Sequence, residues 1–247
     1  MNYPNLSKAP IVEGLIDIQV RQRPEFTFEK LTTFVDRYKG TYPSVKEAQH
    51  FQAAIKLESG KSPSQEVQST KAGFRLERQS PPFVVLARVN GITISRLAPY
   101  DTWEDLSQEA GELWKAYCEI SKPETVTRVA TRFVNRIELP IAGLDFDDYL
   151  AAAPKVPKGL PQILTHFMSR LVIPDEDSGS DIAIAQAFES VNPLAQKVAI
   201  ILDIDVFKEV DLPFDSPEIW NTLNTMRNLK NQAFFDSLTP QALELFK

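Results

Sequence analysis

Pro99-Tyr100-Asp101-Thr102 and Pro213-Phe214-Asp215-Ser216 share one order, proline, aromatic, aspartate and hydroxyl, and each stands just ahead of a long helical pattern. A second pair, Thr27-Phe28-Glu29-Lys30-Leu31 and Asp145-Phe146-Asp147-Asp148-Tyr149, recurs at nearly the same separation, each member following a strand-like run. Self-similarity at one offset is the mark of a repeated structural unit and constrains architecture before any chemistry is visible. The expectation is a duplicated unit, with a first pseudo-repeat over 1–123 and a second over 124–247, packed as one structural unit.

Periodicity supplies the elements around these quartets. Val12, Gly14, Ile16, Ile18 and Val20 alternate with Glu13, Leu15, Asp17 and Gln19, which is the period of a half-buried strand. Thr27 as a cap, with Phe28, Leu31, Phe34, Val35 and Tyr38 at helical spacing up to Gly40, predicts a helix. Strands are predicted at 48–58, 73–79, 83–89 and 91–98, and Asn90-Gly91 joins the last two as a two-residue hairpin because both positions tolerate positive φ. Residues 59–72 are polar and poor in apolar side chains, which predicts a long mobile loop. Asp101 is the expected cap of the next helix, with Glu104 completing a capping box, and Trp103, Leu106, Ala110, Leu113, Trp114 and Tyr117 form its apolar stripe.

The second half repeats this plan. It reads as a strand over 125–139, a short helix over 145–152, a proline-spaced connector over 154–161 and strands at 162–173, 181–190 and 196–208. A helix capped by Ser216 with Pro217 in its first turn follows, and Thr239-Pro240 opens a short tail helix. Helices segregated from antiparallel strands make an α+β protein. The two β-α-β(3-4)-α halves are expected to form a continuous curved antiparallel sheet with helices on one face. That order resembles the saddle-like fold of the TATA-binding protein in topology alone, with no aromatic wedge motif to match residue by residue.

Composition narrows the function classes. At 247 residues, with 43% hydrophobic and 24% charged residues, the chain can bury a substantial core. A formal charge of -6 and a pI near 5.1 disfavour non-specific attraction to nucleic acid. No apolar run approaches the ~20 residues a bilayer crossing needs, so no membrane partner and a cytoplasmic location are the expectation. Cys118 is the single cysteine and sits inside a helical pattern, where a buried small apolar residue is expected. His50 and His166 are the only histidines, and His166 is expected on a strand. No cofactor and no metal are expected, since GxGxxG, GxxxxGK[ST], GxSxG and HExxH are all absent.

The chemistry concentrates on Thr127-Arg128-Val129-Ala130-Thr131-Arg132-Phe133-Val134-Asn135-Arg136-Ile137-Glu138. On a strand, Arg128, Arg132 and Arg136 share one face at a spacing of about 13 Å, while Val129, Phe133, Asn135 and Ile137 face the other way. Asp203 and Asp205 share a face of the strand around Leu202 and Ile204, and Glu13, Asp17 and Arg21 share a face of the first strand. Two outcomes are open for this set. The charges can pair across strands on a solvated face, or the arginines can bind an anionic ligand through bidentate contacts. Asn135 is expected to hydrogen-bond backbone within the core.

Three short segments, Ala9-Pro10-Ile11-Val12-Glu13, Arg132-Phe133-Val134-Asn135-Arg136-Ile137 and Asn231-Gln232-Ala233-Phe234-Phe235, resemble a sporadically distributed bacterial family of similar length with no assigned activity. The resemblance implies a prokaryotic cytoplasmic protein and, by association, mobile-element or anti-phage systems. The expected function is a non-catalytic binding or regulatory module that recognises a protein partner or small anionic ligand through Arg128, Arg132 and Arg136. A homo-oligomer is also open. The rival readings are a metal-dependent phosphohydrolase of tunnel type, with Asp203 and Asp205 as metal ligands, and nucleic-acid binding on a saddle surface.

Overall fold

A computed structural model describes residues 3–4, 6–56, 64–162 and 164–247, with the side chains among them outside 50–70. Among the described residues, nine strands form one antiparallel, unclosed sheet in the order β2-β3-β4-β5-β1-β6-β9-β8-β7. The strands are β1 (Ile11–Arg21), β2 (Ser44–Lys56), β3 (Ser64–Gln79), β4 (Pro82–Arg88), β5 (Gly91–Leu97), β6 (Thr125–Pro140), β7 (Met168–Asp175), β8 (Ser180–Asn192) and β9 (Lys197–Leu212). The helices are α1 (Leu31–Tyr38), α2 (Trp103–Ser121), α3 (Glu218–Ser237) and α4 (Pro240–Glu244). The chain is therefore α+β, and none of its described helices is long and apolar enough to cross a membrane.

The alternation read in β1 is what the sheet uses. Ile16, Ile18 and Val20 are buried on the face that meets the helices, where Val129, Phe133, Ile137, Ile200, Leu202, Ile204 and Val206 join them. Each such side chain contributes on the order of 1.5–3 kcal/mol by leaving water. The helices pack on each other as well as on the sheet. Trp103 Nε1 of α2 donates to Asn224 Oδ1 of α3 at 3.0 Å, and the Trp114 indole donates to the Phe214 carbonyl at 3.1 Å.

Local chemistry fixes several turns. Gly91 has φ +148 at the Asn90-Gly91 hairpin, where a Cβ would lie 2.3 Å from the Ile18 carbonyl oxygen, so only glycine fits. The α2 capping box is shifted by one residue from the expectation. Thr102 Oγ1 accepts from the Asp105 amide at 3.1 Å and donates to the Asp105 carboxylate at 2.7 Å, while Asp101 is drawn away into an ion pair with buried Arg96. Lys122 ends α2 in the left-handed region, φ 46, ahead of Pro123. At α3, Ser216 Oγ accepts from the Glu218 amide at 3.2 Å.

Four other expectations are corrected. Residues 64–72 are strand rather than loop, because β3 pairs along β2 from Ser64 onward; 57–63 lie outside the described residues. Thr27 makes no side-chain cap, and the first helix begins as a 3-10 turn over Phe28–Lys30. The helix expected over 145–152 is only the turn Phe146–Asp148. Asp145 Oδ1 holds the Asp147 amide, and Leu150 is pulled straight into a bridge with Leu238. The strand expected over 162–173 starts at Met168, which leaves His166 ahead of it with its ring edge-on to Phe188.

Candidate functional site

The sheet face opposite the helices carries the charges singled out in the sequence, and Asp17 at the centre of β1 is their hub. It is 7% exposed. Its register partners are Thr93 on β5 and Ala130 on β6, and the small Ala130 side chain leaves room for Arg128 to reach across. Arg88 Nη2 donates to Asp17 Oδ1 at 2.5 Å and Arg128 Nη1 to Oδ2 at 3.1 Å, with Thr93 Oγ1 at 2.6 Å and Gln19 Nε2 at 3.1 Å adding two more donors. Burial pushes the Asp17 carboxyl upward most strongly of any single influence, yet the Arg88 charge and these hydrogen bonds together outweigh it and hold the group below its ordinary range.

Arg128 also faces Asp205 at 3.7 Å and lies 4.8 Å over the Phe207 ring. For Asp205 the balance falls the other way. Its burial outweighs Arg128 and Arg132, so its carboxyl titrates above the usual value. Arg132 grips Asp203 with two parallel hydrogen bonds, Nε at 2.8 Å and Nη2 at 2.5 Å. Arg136 is held by Glu189 and Glu138, each at 2.6 Å, and Lys197 caps Glu138 at 2.9 Å.

The three arginines thus stand on one face, as their spacing requires, and each is already neutralised within the sheet. Such a row lacks the uncompensated positive charge that a free anion would seek. It can exchange its ion pairs with a surface that carries both signs. Asp203 and Asp205 are engaged with arginines, and among the described residues no three His, Cys, Asp or Glu side chains gather where they could hold a metal ion.

A second place was not found from the sequence. On the helix side a cavity of about 620 Å³ opens between the amino-terminal segment, the junction of β5 with α2, β6 and α3. Pro10, Asn135, Asn231 and Phe235 all border it, so the three segments that carry the family resemblance meet here. Asn135, 1% exposed, donates to the Phe133 and Leu202 carbonyls at 3.3 and 3.0 Å and ties β6 to β9 as expected. Beside it, the Lys230 amine lies 3.8 Å from the centre of the Phe133 ring and donates to Asn231 Oδ1 at 2.6 Å. Burial, with Arg227 adding repulsion, pushes that amine down to about 7. The signal available in the sequence was the position of Lys230 on the Met226 and Ala233 stripe of α3, where an apolar side chain belongs.

No family model matches the chain, and no curated protein matches it.

Proposed function

We propose that the chain is a non-catalytic binding or regulatory module, and that the sheet face around Arg132 and Arg136 receives a partner protein bearing charges of both signs. The observation that carries this reading is the row of ion pairs Arg128–Asp205, Arg132–Asp203 and Arg136–Glu189 on a face that no described helix covers. Arg132 and Arg136 are the accessible members, with side chains 46% and 35% exposed, while Arg128 is 19% exposed and fixed by the Asp17 hub. Neutral pairs at a rim give register and specificity more than raw affinity. The net charge of -6 speaks against nucleic acid in the same role.

The architecture behind this face is read as a duplication with a TATA-binding-protein-like arrangement. The strand order supports it: β5 flanks β1 as β9 flanks β6, and β4 and β3 lie outward on one side as β8 and β7 do on the other. Both recurring aromatic segments lie at 3-10 turns, Phe28–Lys30 and Phe146–Asp148, and both quartets precede α2 and α3. The bacterial, cytoplasmic setting with mobile-element or anti-phage associations comes from the family resemblance.

The test is a pair of charge reversals, Arg132→Glu with Arg136→Glu, in a chain carrying a photo-crosslinking residue at Val134. The wild-type face is expected to crosslink one recurrent partner in the native host and the reversed face to lose it. The reversals set glutamates against Asp203 and Glu189, so some stability is lost, and a cooperative unfolding transition with an unchanged circular dichroism spectrum is the control that the reversed chain still folds. Equal crosslinking by both chains overturns the proposal.

A further inference from the structure

We infer that the cavity beneath α3 binds a small organic monocarboxylate with a flat apolar body, its carboxylate held by Lys230 with Arg227 beside it. This site lies on the helix side of the sheet and stands independently of the partner face.

The argument starts from the company Lys230 keeps. Its amine is committed to one amide oxygen, Asn231 Oδ1, and to the Phe133 ring, and the charge that acts on it is the like charge of Arg227. Among the described residues no carboxylate forms an ion pair with it. The two acids that border the cavity are already taken: Asp101 pairs with Arg96, and Glu104 accepts from Arg227 at 2.9 Å. Lys230 is half-buried, and an ammonium partly removed from water without a counterion is costly, so a structure that keeps one facing a cavity gains when an anion enters.

Size and lining select the anion. About 620 Å³ falls within the range of small-molecule sites, and the walls are aromatic. Tyr100 and Phe133 meet edge to face at 5.4 Å, and Phe235 stacks flat on Tyr3 at 4.7 Å. A planar apolar body matches those walls. Among the described residues Lys230 is the one cation without an ion pair that is drawn into the cavity, Lys8 at its border being exposed to solvent. A single such cation matches one negative charge, whereas a phosphate dianion would call for more charged donors.

Binding must then be linked to protonation. The carboxylate stabilises the ammonium, so occupancy raises the Lys230 pKa and takes up a proton, and affinity weakens as pH climbs above about 7. The charged and titratable groups that border the cavity with Lys230 are Arg227 on its own helix, Tyr100 and Asp101 just before α2, Glu104 in its first turn, and Lys8 and Tyr3 on the amino-terminal segment. β6 contributes only Phe133 and Asn135. Burial holds Tyr100 protonated, Asp101 and Glu104 are ion-paired, and Lys230 is the group that burial brings down to about 7.

The experiment uses the full chain with naphthalene-2-carboxylate and its neutral isostere naphthalene-2-carboxamide, titrated by calorimetry at pH 6 and pH 9. The carboxylate is expected to bind at least tenfold tighter than the carboxamide at pH 6, with the ratio falling several-fold at pH 9. Lys230→Met keeps the stem and fills the same space. It should fold normally, bind the carboxamide unchanged and lose the carboxylate preference. In parallel, 13C-methylated Lys230 followed by NMR should titrate near 7 and move upward when the carboxylate is added. A ratio near one in the wild-type chain, an unchanged ratio in Lys230→Met, no binding of either probe, or a Lys230 titration that the carboxylate does not move would each overturn the proposal.

Discussion

Gly14 and Phe133 face each other across the β1–β6 pairing, and the Phe133 ring occupies the space a side chain at position 14 would need. A Cβ there would lie 2.7 Å from Phe133 Cε1 and 2.8 Å from Tyr100 Cε2. Gly14→Ala is therefore expected to force both rings aside and to cost about 1–3 kcal/mol, as overpacking does in a filled core. Urea denaturation followed by tryptophan fluorescence measures it, and an unchanged midpoint would show the rings are free to give way.

Asp17→Asn keeps the shape of the hub and removes the charge that Arg88 and Arg128 share. With both guanidinium groups about four-fifths buried, the loss should be about 3 kcal/mol at pH 7. The sign of its pH dependence follows from the lowered carboxyl. Its stabilisation is present above the unfolded carboxylate value, near pH 4, and drains away as pH falls through the lower folded value. The gap between wild type and Asp17→Asn should thus be widest near neutrality and close in acid, which denaturation midpoints from pH 7 down to pH 2 will show.

Asp205 predicts the opposite. Burial holds its folded carboxyl above the unfolded value, so whatever it contributes is present in acid and lost as pH rises through the folded value. Asp205→Asn is expected to be at least as stable as wild type at pH 7, within about 1 kcal/mol, and to lose that advantage below pH ~4. The same midpoint series tests both variants, and parallel pH profiles for Asp17→Asn and Asp205→Asn would contradict this division of roles.

Cys118 is buried against the α2 side of the core, and burial pushes its thiol up to about 12. The native protein should therefore leave a disulfide-exchange reagent nearly untouched at pH 8 over minutes and react with one equivalent after unfolding. Rapid labelling of the folded chain would place the thiol on an accessible surface instead.

Much of this was legible where local chemistry and packing agree. The β1 and β6 alternations, the Asn90-Gly91 hairpin and the α2 stripe each depend on neighbours within a few residues, and each appears where the pattern places it. The strand at 73–79 was found, but the first half of β3 was hidden because Ser64 to Thr70 is polar; its strand state comes from pairing along β2, which local periodicity does not encode. The 145–152 segment misled because its helical spacing is overridden by the Leu150 bridge to Leu238, a contact between residues far apart in the chain. The arginine face was read correctly as a face. Its neutralisation depended on which carboxylates the neighbouring strands bring up: Asp203 reaches Arg132 although its register partner is Val134. Lys230 was passed over because a lysine between Leu229 and Asn231 reads as an exposed charge; its place on the Met226 and Ala233 stripe was visible in the sequence, but the Phe133 ring and the cavity it meets were not.

The β1–β6 seam also has a consequence for synthesis. β1 takes β5 on one side from its own half, but its other side is filled only by β6, whose first residue is Thr125. A nascent chain that has emerged through α2 therefore displays an unpaired strand edge at the middle of its apolar layer until the ribosome delivers the next dozen or so residues. That interval is when pairing with a neighbouring nascent chain competes with completion. A cut between 123 and 124 should yield two fragments that associate with each other along this edge and remain poorly soluble alone.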